Sequence, residues 1–176
     1  MLASLRPAIL ISVIFFALLG LAYPYAETGL GQGLFSGAAN GSLTKNGSTL
    51  VGQTWKGPRF FQGRPDTDDP MTTGASNLGP RSKVLVQDAR KTMDALRKEG
   101  ITPTPDLVTT SGSGVDPNIT PADAYAQVNA VARARGLSPG VVRRLVAAQA
   151  QSPELGFLGS SFINVLQLNE ALARLR

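Results

Sequence analysis

Hydrophobic residues are laid along this chain in two unlike ways. From Ala8 to Ala22 they run without interruption, AILISVIFFALLGLA, with no charge and Ser12 as the one clearly polar side chain. Beyond residue 47 they recur at helical or strand spacing between polar turns. A bilayer core about 30 Å thick is crossed by roughly 20 residues of helix, and the segment from Pro7, suited to a first helical turn, to Tyr25 has that length. About ten large apolar side chains at roughly −0.3 to −0.6 kcal/mol each favour insertion by about 3 to 6 kcal/mol. Tyr23 and Tyr25 fall where an aromatic belt lies. Residues 7–25 therefore read as one transmembrane helix, in which Ala17 and Gly20 suit either close approach of a neighbouring helix or plain contact with lipid. Arg6 and the amino terminus precede the run, whereas the first charge after it is Glu27 and the first lysine Lys45. Positive residues stay inside, so residues 1–6 are expected in the cytoplasm and the rest outside. The competing reading is a cleaved secretory signal; the run is long for one, and no clean A-x-A site precedes Pro24.

After the span, residues 26–47 are rich in glycine and are expected to form a flexible stalk. Asn46-Gly47, between Leu43 and Leu50-Val51, predicts a hairpin turn opening a folded domain over 48–176. Ser48–Thr54 and Arg59–Gln62 are β-prone, with Trp55, Phe60 and Phe61 as core aromatics. A polar loop follows from Asp66, and Ser82 caps a helix over Lys83–Lys98 with Leu85, Ala89, Met93 and Leu96 on one stripe, stopped by Gly100. Leu107–Thr110 reads as a short strand, and Ser111–Asn118 as loop. Thr120, Pro121 and Asp123 spell a capping box for a helix ending at Arg135-Gly136, and Ser138-Pro139 starts another carrying Val142, Leu145 and Val146 inward. Gly156–Gly159 is a turn, Phe162–Val165 a strand, and Leu168, Leu172 and Leu175 one face of a last helix. The expected fold is α+β: one N-terminal transmembrane helix followed by a single extracytoplasmic domain.

Composition narrows the chemistry. The 176 residues include no cysteine, so neither disulfides nor thiol chemistry operate, which fits a bacterial envelope. Histidine is also absent, removing the commonest general base, the commonest zinc ligand and every Ser-His pair. Ser113, in the glycine-serine loop, thus has no histidine to activate it. The net charge of +5 is spread singly and in pairs without interleaved aromatics, which argues against nucleic acid and for a solvated surface or attraction to anionic lipid. Gly29-Leu-Gly31-Gln-Gly33 has the look of a phosphate loop but follows a membrane span rather than a buried strand. Asp66, Asp68 and Asp69 lack the ligand spacing of a calcium loop. An enzyme working with paired carboxylates would need a cleft joining Asp66, Asp69 and Asp116.

The block TTSGSGVDPNITPADAYAQVNAVARARGLS over Thr109–Ser138 resembles the KdpC family, the C subunits of bacterial Kdp potassium-transporting P-type ATPase complexes. The likeness extends to Leu5-Arg6-Pro7-Ala8, Tyr23-Pro24, Gly63-Arg64-Pro65, Ser76-Asn77-Leu78-Gly79-Pro80, and Asn164-Val-Leu with Leu168-Asn169, so it spans nearly the full length in order. Two departures stand out: Gly74-Ala75 occupy positions where the family reads Ser-Gly-Gly, and Leu137-Ser138-Pro139-Gly140-Val141 lacks the glutamine of a Leu-Ser-x-x-Gln segment sometimes tied to nucleotide. The resemblance implies a non-catalytic accessory subunit, single-pass in the inner membrane. Its partners would be a channel-like subunit (KdpA), a P-type ATPase subunit (KdpB) and a small subunit (KdpF). It also implies a catalytic-chaperone effect on ATP binding by the pump subunit, so ATP enters only through the resemblance. No metal or catalytic residue is assigned. Gly63, Arg64, Ser76, Asn77, Ser113 and Asp116 are candidate partner surface, against the alternative that their glycines and prolines only shape turns. Ala17, Gly20 and Tyr23 are the anchor candidates. The alternative function is a membrane-anchored envelope binding module without a transport role.

Overall fold

The computed structural model describes residues 2–66 and 71–175. They fall into two compact units, Met1–Leu43 and Thr44–Arg176. In the first, α1 (Leu2–Phe15) continues into a π-helical stretch, Phe16–Ala22, and then into α2 (Tyr23–Leu34). Within it Leu5–Leu34 makes 30 residues of helix, about 45 Å at 1.5 Å per residue, long and apolar enough to cross a membrane. Leu10 is 61% and Phe16 66% exposed, and an apolar helix with no core to face is one suited to lipid. In the wide turn Tyr23 N–H donates to Leu18 O, and the Phe16 ring lies against Gly20, where a Cβ would come within 3.3 Å of it.

The first part of the glycine-rich segment is helical. The helix runs on through Gly29, Gly31 and Gly33 to Leu34, a short α3 (Ser36–Ala39) follows, and the Gln32 and Asn40 amides bond each other at 3.0 and 3.2 Å. Each glycine costs about 1 kcal/mol in a helix. Propagation from a nucleus already formed is cheap, however, and the long apolar helix upstream is that nucleus.

The second unit opens with a hairpin of β1 (Leu43–Thr44) and β2 (Gly47–Ser48), turning at Lys45-Asn46. That is one residue earlier than Asn46-Gly47; Gly47, with φ +141°, supplies the strand's first residue instead. Thr44 Oγ1 and Asn46 Nδ2 both donate to Glu170 Oε1, at 2.8 and 2.9 Å. The two β-prone segments that follow form no strands beyond Ser48; residues 52–56 and 61–64 are irregular. Side-chain amides take the place of a neighbouring strand. Asn169 accepts from Phe61 N–H and donates to Phe61 O, both at 2.9 Å, while Gln127 accepts from Gln62 N–H at 2.7 Å and donates to Gln62 O at 3.0 Å. Both amides are buried, and each satisfies a donor and an acceptor that would otherwise be stranded in the core.

α4 (Lys83–Lys98) starts on the Ser82 hydroxyl, which accepts from Leu85 N–H, and ends at Gly100 with φ +76°. Leu96 is buried and Leu85, Ala89 and Met93 half-buried, as the stripe predicts. Leu107–Thr110 is not a strand: Thr104 caps and Pro105 begins a one-turn helix, α5 (Pro105–Val108), that buries Leu107. β3 (Asn118–Ile119) leads into α6 (Pro121–Arg135), whose capping box forms with Thr120 and Asp123 and whose stop is Gly136 in the left-handed region. α7 (Pro139–Gln149) is capped by Ser138. β4 (Ile163–Asn164) pairs antiparallel with β3, Asn118 opposite Asn164 and Ile119 opposite Ile163. α8 (Val165–Ala173) is capped by Asn164. α7 packs on α6 and α8, and the core gathers Phe61, Ile101, Leu107, Val128, Val131, Val142, Val146, Ile163, Leu168 and Leu172. Each such side chain contributes about 1.5 to 3 kcal/mol by leaving water. The fold is thus mixed helix and strand, with the strands very short.

Candidate functional site

Four of the six residues read as partner surface, Gly63, Arg64, Ser113 and Asp116, belong to polar turns around one network. Its hub is Asp66. The carboxylate accepts from Ser111 N–H at 2.7 Å, from the buried Ser111 hydroxyl at 2.6 Å and from Asp116 N–H at 2.9 Å. Bonds to an ionised acceptor are the strong kind. Arg64 reaches the same segment: Nε donates to Thr109 O at 3.2 Å and Nη2 to Thr110 O at 2.9 Å, with Nη1 4.0 Å from Asp116 Oδ2. Asp116 Oδ1 accepts from Asn118 N–H at 3.0 Å. The Ser111 hydroxyl also takes Gly114 N–H at 2.9 Å, and Ser113 Oγ takes Val115 N–H at 3.2 Å. Gly63, half-buried, lies with its Cα side toward Val165, where a Cβ would sit 3.9 Å from Cγ2.

Two close backbone approaches complete the network. Gly74 N–H donates to Ser113 O at 2.6 Å, and a Cβ on Gly114, which has φ +72°, would stand 2.5 Å from Gly74 O. Gly52 N–H donates to Val115 O at 2.7 Å, and a Cβ there would stand 2.6 Å from Asp116 O. Only glycine fits either place.

Ser76 and Asn77 differ in kind. Residues 71–81 are exposed throughout, Asn77 holds φ +54°, and Ser76 Oγ accepts only the local Leu78 N–H at 3.4 Å. Ser76 and Leu78 border a small cleft of about 70 Å³ with Pro65, Leu85, Ala89 and Thr109. Ser113 is exposed, while Arg64 and Asp116 are half-buried. Ala17, Gly20 and Tyr23 lie exposed on the long helix, the first two in its π-helical stretch and Tyr23 at the end of it.

Among the described residues, the Asp66 and Asp123 carboxylates are engaged by donors of the fold itself. Asp66 and Asp116 are brought together, but Asp66 is occupied by three donors; Asp68 and Asp69 lie outside the described residues. A cleft of about 140 Å³ is lined by Arg64, Asp106, Asp116, Asn118 and Asp123. Asp123 there is nearly fully buried and saturated by Thr104 Oγ1 at 2.6 Å, Thr120 Oγ1 at 2.7 Å and Thr120 N–H at 2.9 Å. Among the described residues no three acidic side chains are placed to hold a metal ion. Gly29, Gly31 and Gly33 lie inside a helix, so their amides point along its axis rather than converging as a phosphate cradle needs. Ser138 in the Leu137–Val141 segment is spent on Val141 N–H as a cap.

A cationic corner sits elsewhere. Arg59 Nη1 donates to Ala134 O at 3.2 Å, Arg135 Nε donates to Arg59 O at 2.6 Å, and the Arg135 guanidinium lies 5.2 Å from the Phe60 ring centre. Burial, and then the charge of Arg59, push Arg135 below the usual arginine pKa. Sequence reasoning missed the hub role of Asp66, weighed as a cation ligand and as a catalytic carboxylate, and the amide clamps Gln127 and Asn169. The one signal for the clamps was an amide on each apolar helix face.

Residues 5–174 match the family model described as KdpC: K+-transporting ATPase, c chain. The chain is similar to the potassium-transporting ATPase KdpC subunit of Sorangium cellulosum, 46% identical with 98% of each chain covered. It is similar to that of Caulobacter sp. strain K31 at 44%, covering 98% of this chain and 94% of the relative, and to that of Geobacter sulfurreducens at 43%, covering 96% of each. The network of Gly63–Asp66 with Ser111–Asp116 lies inside this match, as does the apolar helix from residue 5 onward, and the chain therefore belongs to the KdpC family, the c chains of K+-transporting ATPases.

Proposed function

We propose that this chain is the accessory, non-catalytic subunit of an ATP-driven, high-affinity potassium uptake complex, and that it works by holding the complex together. The observation that carries the reading is the likeness to KdpC subunits along almost the whole chain, with the anchor and the folded unit both included. The chain is single-pass in the bacterial inner membrane, its N-terminus inside. Arg6 before the apolar run and Glu27 as the first charge after it support that orientation. The folded unit then lies outside, over the channel-like subunit KdpA, with the span packed beside neighbouring membrane helices of the complex. Any effect on ATP binding by the pump subunit travels through the partner. The engagement of Ser138 in a cap and the absence of a glutamine at Val141 support this indirect route. The docking surface includes the exposed Ser76–Pro80 loop and Ser113, the latter in the segment that Arg64 and Asp66 tie down.

The test is complementation and co-purification together. In a host deleted for its own c chain, a C-terminally tagged copy expressed with its cognate partner subunits restores growth on micromolar potassium and pulls those subunits from detergent-solubilised membranes. Protease added to intact spheroplasts removes the tag. A tag retained on intact spheroplasts overturns the outside placement; a tagged chain purified alone, without growth rescue, overturns the accessory role.

A further inference from the structure

Between α7 and β4 the chain makes a hairpin, Gln151 opposite Phe162 and Glu154 opposite Leu158, whose tip reads Leu155-Gly-Phe-Leu. Residues 154–161 are all exposed; Leu155 is 82%, Phe157 73% and Leu158 50% open to solvent. No charged residue occurs from Leu155 to Phe162. The backbone is tied to itself: Gly156 N–H donates to Pro153 O at 3.0 Å, Phe157 and Leu158 N–H to Glu154 O at 3.2 and 2.9 Å, and Glu154 N–H to Leu158 O at 3.0 Å. Leu155 holds φ +52°, an uncommon conformation for a branched side chain, with Gly156 and Gly159 also at positive φ. With the amides of Glu154, Gly156, Phe157 and Leu158 satisfied from within, the tip enters a medium poor in water at reduced cost. The same geometry in water exposes three large apolar side chains for no gain in packing.

We propose that this tip is a membrane-contact wedge that seats Leu155, Phe157 and Leu158 in the interfacial layer of a lipid bilayer. Three side chains offer on the order of 300 to 400 Å², well short of the roughly 600 to 1,000 Å² per partner that a stable pair of soluble copies buries. A second copy of the chain is therefore not the occupant. A bilayer asks for no such area, because the tether has already brought it near. Residues 35–43, between the end of α2 and the second unit, are nine residues with four of them in α3, so they span less than about 30 Å, the full extension of a segment of that length. The net charge of +5 complements an anionic lipid surface. The inference rests on the anchored reading of the long helix, and the experiment separates the two.

The chain has no cysteine, so Phe157→Cys and, as a control on the exposed side of α4, Gln87→Cys each carry a single environment-sensitive fluorophore. Full-length labelled chain is reconstituted, without partner subunits, into vesicles of phosphatidylcholine with phosphatidylglycerol, and flotation is measured first. At position 157, acyl-chain doxyl lipid lowers emission about twofold and aqueous iodide has little effect; position 87 shows the reverse. Unfolding profiles by circular dichroism match the unsubstituted chain, as both side chains are exposed. A chain that fails to float removes the anchor and the wedge together. One that floats but leaves position 157 open to iodide and untouched by doxyl overturns the wedge alone. Shielding that arises only with partner subunits present, and without doxyl quenching, assigns the tip to a protein pocket and overturns the proposal.

Discussion

Gly63–Asp66 and Ser76–Pro80 are both short runs of small polar residues with glycine and proline, set in the same irregular region. In the first, Asp66 collects three donors from residues 111 and 116, and Arg64 spans the carbonyls of Thr109 and Thr110. In the second, every residue is exposed, and the Ser76 hydroxyl takes the local Leu78 N–H. The difference lies in one ionised carboxylate. A charge placed against a loop of free amides organises that loop; a run of serines and asparagines without one stays at the surface. Turn-forming composition alone does not separate a structural clasp from a surface free to meet a partner.

Substitutions sharpen that contrast. Asp66→Ala strands the Ser111 hydroxyl and two backbone donors, and is expected to cost about 3 kcal/mol or more in urea unfolding of the detergent-solubilised chain, with Asp66→Asn losing roughly half as much. Gly114→Ala forces a Cβ toward Gly74 O at a positive φ and should cost about 2 to 3 kcal/mol in the same assay. Arg64→Lys keeps the charge but not the fork that spans two carbonyls, for a loss of about 1 to 2 kcal/mol. Ser76→Arg with Asn77→Arg should cost about 1 kcal/mol or less, most of it from replacing asparagine at a left-handed φ. If that loop meets a partner, the same pair lowers recovery of the partner subunits in co-purification several-fold; unchanged recovery returns Ser76 and Asn77 to plain turn duty.

Much of the fold was legible where local chemistry decides it. The caps at Ser82, Thr120 and Ser138 and the stops at Gly100 and Gly136 stand where the residues place them, because a cap is settled within four residues. Leu107–Thr110 was misread although its signal was present: Thr104-Pro105 repeats the hydroxyl-proline start of Thr120-Pro121 and Ser138-Pro139. β-propensity in Leu-Val-Thr-Thr outweighed it wrongly. The segments near Trp55 have strand-like composition but find amide side chains instead of a neighbouring strand, which no local pattern announces. The glycine run of α2 took its shape from the helix before it. Of the site, the residue types were visible; the pairing of residues 45 to 50 positions apart was not.

The clamp of Asn169 on Phe61 closes a loop across 108 positions. A polypeptide made from its N-terminal end presents Phe61 long before Asn169 arrives. Until then the aromatic ring and its peptide group have no home, and the emerging segment remains soft to proteases and chaperones. Completion of the last helix is thus the event that converts an unfinished thread into a finished body, so interrupted synthesis leaves a product that surveillance machinery can tell from the whole.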